Sequence, residues 1–302
     1  MPLEFLRQWR RTLWRQYVFG LRRYIPRGAR RSIGWLYGSY VFCRISPIAT
    51  RMLGPRYRRS RDRIDLDITW DCNLKCFHCN RSCQQAPTGE MMTVGQVRQF
   101  LEETRKREVC WKKIQLIGGE PTLHPDFEEM LHMMLEFRRR HSPGTEIMVT
   151  SNGFGVRVNQ VLSRIPADVT VHNTQKSTRN QEDFIPFNLA PCDSPEYAHA
   201  DFRNACCVTR DAGIGLTPYG YYPCVGSGAI DRIFGFDSGR KTLPGLEDGM
   251  EEDLTRFCSL CGFFRLNYTS EVCSGSLMSE TWQRAYASWH ERKPVLTRYP
   301  EL

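Results

Sequence analysis

Cys72-Asn73-Leu74-Lys75-Cys76-Phe77-His78-Cys79 sets three cysteines at a CxxxCxxC spacing, directly after a run in which Ile64, Leu66 and Ile68 alternate with polar residues. Such alternation marks a half-buried strand, so the cysteines sit on the loop leaving its carboxyl end. Thiolates are soft ligands that suit iron–sulfur clusters or zinc. A [4Fe–4S] cluster needs one ligand per iron. Three cysteines leave one iron open to an exogenous ligand. Cys83 is near enough in sequence to close that position, so the spacing alone does not prove an open site.

Two further motifs follow in order. Gly118-Gly119-Glu120-Pro121 stands behind Ile114, Leu116 and Ile117, and Ser151-Asn152-Gly153 behind Ile147, Met148 and Val149. Three such motifs after three successive apolar runs resemble the radical S-adenosylmethionine (SAM) superfamily over roughly residues 63–275. The resemblance implies a [4Fe–4S] cluster on Cys72, Cys76 and Cys79, with SAM at the open iron. His78 fits the aromatic position of the cysteine motif. Gly118, Gly119, Glu120 and Pro121 match the GGEP turn. Its glycines would let the backbone approach the ligand, and Glu120 would accept from the SAM ammonium. Ser151, Asn152 and, more weakly, Asn173 would meet ribose or carboxylate. The implied chemistry is reductive cleavage of SAM to methionine and a 5′-deoxyadenosyl radical, which takes hydrogen from a small-molecule or peptide substrate. A reductase such as flavodoxin or ferredoxin would supply the electron. The implied class is an oxidoreductase or other tailoring enzyme.

The 302 residues can hold one barrel-sized domain and a small satellite. Residues 1–63 carry sixteen Arg, no Lys and two acids, Glu4 and Asp62, which is +14; the whole chain carries +9, leaving −5 for the rest. The basic character therefore belongs to an N-terminal arm. Within it Leu6, Trp9, Leu13, Tyr17 and Leu21 recur at helical steps among arginines, which predicts a basic amphipathic helix. Three readings stand for this arm: a membrane surface, a nucleic acid or other acidic partner, or packing against the barrel with solvated arginines. The thirteen cysteines cluster as CxxxCxxC and CxxC, and no signal peptide with a cleavage site is visible. Reduced, metal-binding cysteines in the cytoplasm are expected, with peripheral membrane association through the arm.

Strands are expected at 64–70, 113–117, 146–150, 168–173 and 183–188. Helices follow Thr93 and Asp126 as caps, and a short one lies near 157–165. Alternating strands and helices argue for parallel βα units. The expected fold class is α/β, resembling the partial TIM-like (βα)6 barrel of the family. The expected organisation is an arm at 1–62, the barrel at 63–190, an auxiliary domain at 191–275 and a tail at 276–302. His124 is expected to serve the start of the second helix.

After Pro191, Cys206, Cys207, Cys224, Cys258, Cys261 and Cys273 lie among Gly, Pro and aromatic residues. Gly220-Tyr221-Tyr222-Pro223-Cys224 resembles the turn of SPASM and Twitch auxiliary-cluster domains, with three residues between Gly and Cys where the family has four. Cys258-Ser259-Leu260-Cys261 resembles their later CxxC. The resemblance implies an auxiliary [4Fe–4S] cluster on Cys206, Cys224, Cys258 and Cys261, with Cys207 or Cys273 as alternatives to Cys206. Zinc is the other reading of this group. A non-catalytic iron–sulfur or zinc protein for electron transfer or binding would explain the cysteines, but it has no need of the GGEP turn.

Overall fold

β1 (Arg63–Thr69) buries Ile64, Leu66 and Ile68 on one face and Asp65, Asp67 and Thr69 on the other. A strand covered on both faces belongs inside a parallel sheet, and β1 holds that place. β2 (Lys113–Gly118) and β5 (Ile214–Thr217) flank it, both parallel. β3 (Glu146–Ser151) and β4 (Thr170–Asn173) continue beyond β2, and β6 (Gly220–Tyr222) runs antiparallel to β5. The order β4-β3-β2-β1-β5-β6 gives a six-stranded, mostly parallel sheet, the α/β partial barrel expected. This computed structural model describes residues 36, 38–181, 185–265 and 277–302. Most of the N-terminal arm and Cys273 lie outside the described residues.

Residues 38–44 are helical and lead to α1 (Pro47–Leu53). α2 (Val94–Lys106) opens with a capping box: Thr93 Oγ1 accepts from Gln96 N–H, and Gln96 Oε1 accepts from Thr93 N–H. Val97, Phe100 and Leu101 of α2 join Phe127, Met130, Leu131 and Met134 of α3 (Phe127–His141) over the apolar face of the sheet. Each such side chain contributes about 1.5–3 kcal/mol on burial. Asp126 precedes α3 but its side chain makes no capping bond. Instead its N–H donates to His124 Nδ1 (3.0 Å), and His124 Nε2 donates to Met92 O (2.9 Å). α4 (Val156–Leu162) leads to β4.

The strand expected at 183–188 is not formed where the chain is described: residues 185–188 are irregular. Pro186 in that run has no N–H for a ladder. The vacant edge of β1 is taken by Ile214–Thr217, all four buried. The region after 190 therefore shares the main sheet. α5 (Cys207–Asp211) precedes β5, and α6 (Val225–Phe234), α7 (Glu251–Cys258) and α8 (Glu280–Glu291) follow β6. α8 lies within the expected tail, yet Trp282, Tyr286 and Trp289 are buried with Trp70, Ile230 and Ile233. Among the described residues no helix is long and apolar enough to cross a membrane.

Candidate cofactor and cluster site

The carboxyl ends of β1, β2 and β3 converge on the three motifs. Gly119 N–H donates to Thr69 O and Glu120 N–H to Asp71 O, each at 2.8 Å. A Cβ at Gly118 would collide with Thr69 O, and one at Gly119 with Asp71 O. The glycines therefore allow the close approach of two backbone turns. Glu120 is fully buried. Its Oε1 accepts from Thr122 Oγ1 (2.7 Å), Thr122 N–H (3.3 Å) and Ser151 Oγ (2.9 Å), and its Oε2 from Asn152 N–H (2.7 Å). A carboxylate offers about four lone-pair sites, so this one is engaged by the protein. Glu120 thereby positions the Ser151-Asn152-Gly153 turn, and Pro121 opens the short 3-10 turn it caps.

That turn in turn reaches the cysteine loop. Asn152 Nδ2 donates to Asn73 Oδ1 (2.8 Å) and lies 3.8 Å from Cys72 Sγ, and Asn73 Nδ2 donates to Phe154 O (2.6 Å). Asn173 pairs in register with Ser151, and its Oδ1 accepts from Gln175 N–H (2.8 Å). Glu120→Gln is expected to set an NH2 group against these donors and cost about 1–3 kcal/mol. The urea midpoint measures this, and an unchanged midpoint contradicts the positioning role.

Cys72, Cys76 and Cys79 lie within one another's electrostatic reach. Burial pushes the Cys72 thiol up to about 12 and that of Cys76 up to about 11. Cys79 is drawn down to about 6, first by a hydrogen bond with the Cys83 side chain and, against burial, by the N–H groups of Cys83 and Arg81. Ser82, with φ of 51°, turns the chain so that these donors face one sulfur. Such a nest of N–H groups favours a thiolate. Three soft donors on one loop fit a cysteine-ligated iron–sulfur cluster. Cys83 packs beside Cys79 as a hydrogen-bonded thiol. His78 is buried and its Nδ1 is bonded to Asn188 Oδ1 (2.6 Å).

Four charged residues beneath this loop were not expected. Arg81 Nε donates to Asp67 Oδ1 at 3.2 Å, both side chains being buried. Burial works against the Arg81 charge, but Asp67 and Asp65 hold its pKa above the ordinary value. Asp65 is pushed up to about 7 by burial, and its Oδ1 has no hydrogen-bond partner among the described residues. Arg232, on α6, donates Nη1 to Ala86 O (2.8 Å) and Nη2 to Arg81 O (2.8 Å) and Ser82 O (3.3 Å), with its guanidinium 5.0 Å from the centre of the Trp70 ring. The acids were visible as the second face of the β1 alternation. Nothing in the sequence near Arg232 marks its distant partners.

Cys206, Cys224, Cys258 and Cys261 line one cavity of about 70 Å³. Gly215 of β5 makes this possible, because a Cβ there would collide with Val225 N and bar α6 from the sheet. Cys224 precedes α6, and Cys258 ends α7. Cys206 is extended and buried, whereas Cys207 begins α5 and is exposed. The structure thus brings together the four expected ligands and leaves Cys207 outside. Burial pushes the thiols of Cys206, Cys258 and Cys261 up, and neighbouring cysteines add to the shift. Buried thiols crowded this way favour a cation that takes their protons' place. The donor set and the cavity fit a second cysteine-ligated cluster. Among the described residues no three His, Cys, Asp or Glu side chains close on the point of a single metal ion. Arg81 and Asp65 also line this cavity, and Arg81 is within electrostatic reach of Cys79 as well, so Arg81 borders both cysteine groups.

Comparison with known proteins agrees with this geometry. Mycofactocin maturase MftC of Mycobacterium ulcerans is 31% identical over 102 residues, 33% of this chain and 25% of that protein. A probable GTP 3',8-cyclase of Methanococcus maripaludis strain C5 is 30% identical over 98 residues, 32% of this chain and 30% of that protein. The chain thus matches only a quarter to a third of the length of these curated relatives. Among solved structures, BtrN in complex with AdoMet and 2-DOIA aligns over 74% of this chain and 100% of its own, at 11% identity and a TM-score of 0.38. The family model of the Radical SAM superfamily matches residues 67–182, a span that contains the cysteine loop, the GGEP turn and the Ser151-Asn152-Gly153 turn. Residues 67–182 are a radical SAM domain.

Proposed function

We propose that this protein is a radical SAM enzyme with a [4Fe–4S] cluster on Cys72, Cys76 and Cys79 and an auxiliary cluster on Cys206, Cys224, Cys258 and Cys261. The observation that carries the reading is the bonded chain from Glu120 through Asn152 to Asn73 and Cys72, which makes one unit of three motifs distant in sequence. Cys72, Cys76 and Cys79 would hold the cluster with SAM at its open iron, and the chemistry so supplied would be one-electron reductive cleavage of SAM to initiate hydrogen-atom abstraction from the substrate. The residues of the chain orient and enclose. Glu120 holds the Ser151-Asn152-Gly153 turn against the cysteine loop. Arg232 closes the loop from the side of α6. The auxiliary site, reached past Arg81, is read as the electron acceptor or donor for the substrate radical. The substrate is a small molecule or a peptide, and the electron comes from a flavodoxin- or ferredoxin-like donor.

Anaerobic reconstitution tests both clusters. The chain is expected to bind about eight irons, two cysteine-ligated four-iron clusters, and to form 5′-deoxyadenosine from SAM with a strong reductant. Cys206→Ala is expected to lose about four irons, while Cys207→Ala keeps all of them. Iron without 5′-deoxyadenosine would favour a non-catalytic iron–sulfur protein. Zinc in the auxiliary site would overturn the second cluster.

A further inference from the structure

Large apolar side chains facing solvent crowd into one short stretch: Leu36, Tyr40, Phe42, Ile48, Met52 and Leu53, with Ile48 75% and Met52 78% exposed. The opposite side of this stretch is committed to the fold, since Val41 and Ile45 are buried with Tyr197, Leu254 and Phe264. Ile48 and Met52 are four residues apart on α1 and share a face, and Arg51 stands exposed beside them. A folded surface that concentrates apolar side chains in this way marks a site of interaction.

Charge indicates the partner. Arg51 on α1 and Arg58, whose guanidinium lies beside Gly54 at the end of α1, are both exposed next to the patch, so whatever covers it must be both apolar and anionic. The first 35 residues of the chain fail the second condition, holding nine Arg and one acid, Glu4. A second copy would bring the same arginines face to face. An anionic bilayer meets both conditions, with acyl chains for Ile48, Met52 and Leu53 and headgroup phosphates for the arginines. We propose that α1 and the helical residues before it form a membrane-docking face for anionic lipid. Contact is thereby placed on a folded surface as well as on the N-terminal arm. Because this face is packed on Leu254 and Cys258 of α7, docking turns the cysteine-rich end of the protein toward the bilayer.

Flotation of the full reconstituted chain tests the inference, using vesicles of phosphatidylcholine alone and of phosphatidylcholine with phosphatidylglycerol. The wild type is expected to float with the anionic vesicles only, and less as salt is raised. Ile48→Glu with Met52→Glu is expected to lower recovery about tenfold or more. Val156→Glu, at an exposed apolar residue of α4, is expected to leave recovery unchanged. Circular dichroism and iron content establish that the variants are folded; should the glutamate pair not fold, Ile48→Ser with Met52→Ser replaces it with the same expected direction. Recovery of the folded double variant equal to wild type would overturn the docking face and assign binding to the arm alone. A wild-type dimer that the double variant converts to monomer, with no vesicle binding, would overturn it in favour of a second copy.

Discussion

The triple variant Cys72→Ala, Cys76→Ala, Cys79→Ala is expected to form no 5′-deoxyadenosine above the protein-free background, with iron falling from about eight to about four per chain. The three thiols are the soft donors that the radical SAM domain places on one loop, and among the described residues no substitute set stands beside them. Cys83 remains, but it is a single sulfur packed against the position of Cys79. The remaining iron is expected to show the signal of the auxiliary cluster, because its cysteines are held at the ends of α5, α6 and α7 and not by this loop. The effect is all-or-none, since no residue of the GGEP or Ser151-Asn152-Gly153 turns supplies an electron. SAM cleavage that persists in the triple variant removes the assignment. Loss of all iron would show that the two sites do not assemble independently.

Arg232→Leu is expected to lower stability by about 3–5 kcal/mol and to make the SAM-site iron the first to be lost to a chelator. The wild-type guanidinium donates to three buried carbonyls, those of Arg81, Ser82 and Ala86, all in the segment that follows Cys79. Leucine fills much of the space but leaves those carbonyls without a donor in a place water does not reach. It also removes a positive charge from the field of the fully buried Asp67. Arg232→Lys restores the charge and some of the bonds, and so is expected to fall between the two. Urea unfolding and timed chelation measure both effects. A midpoint within error of wild type, with SAM-site iron retained, would show that the loop is held from its own side.

The cysteine loop, the GGEP turn and the Ser151-Asn152-Gly153 turn were legible because each is a local signal at the end of an apolar run. Their chemistry was legible only as residue types. Glu120 illustrates the difference: its carboxylate is spent on Ser151 and Asn152, partners about thirty residues away whose approach depends on the pairing of β2 with β3. Cys206 was separable from Cys207 only by placing one in extended chain and the other at the first residue of α5.

By itself the sequence determined the first three βα steps and the strand after them, the three-motif order and the groups of cysteines. Periodicity and short-range spacing are properties of neighbouring residues, and those carry over directly into strands and loops. Only the tertiary structure decided that Ile214–Thr217, and not the segment around Pro186, completes the sheet beside β1. It alone decided that Arg232 closes the cysteine loop, and that Arg81 borders both cysteine groups. The physical reason is that the partner of a strand edge or of a buried charge is whatever remaining segment satisfies it. That choice is made among residues more than a hundred positions apart, where no local pattern records it.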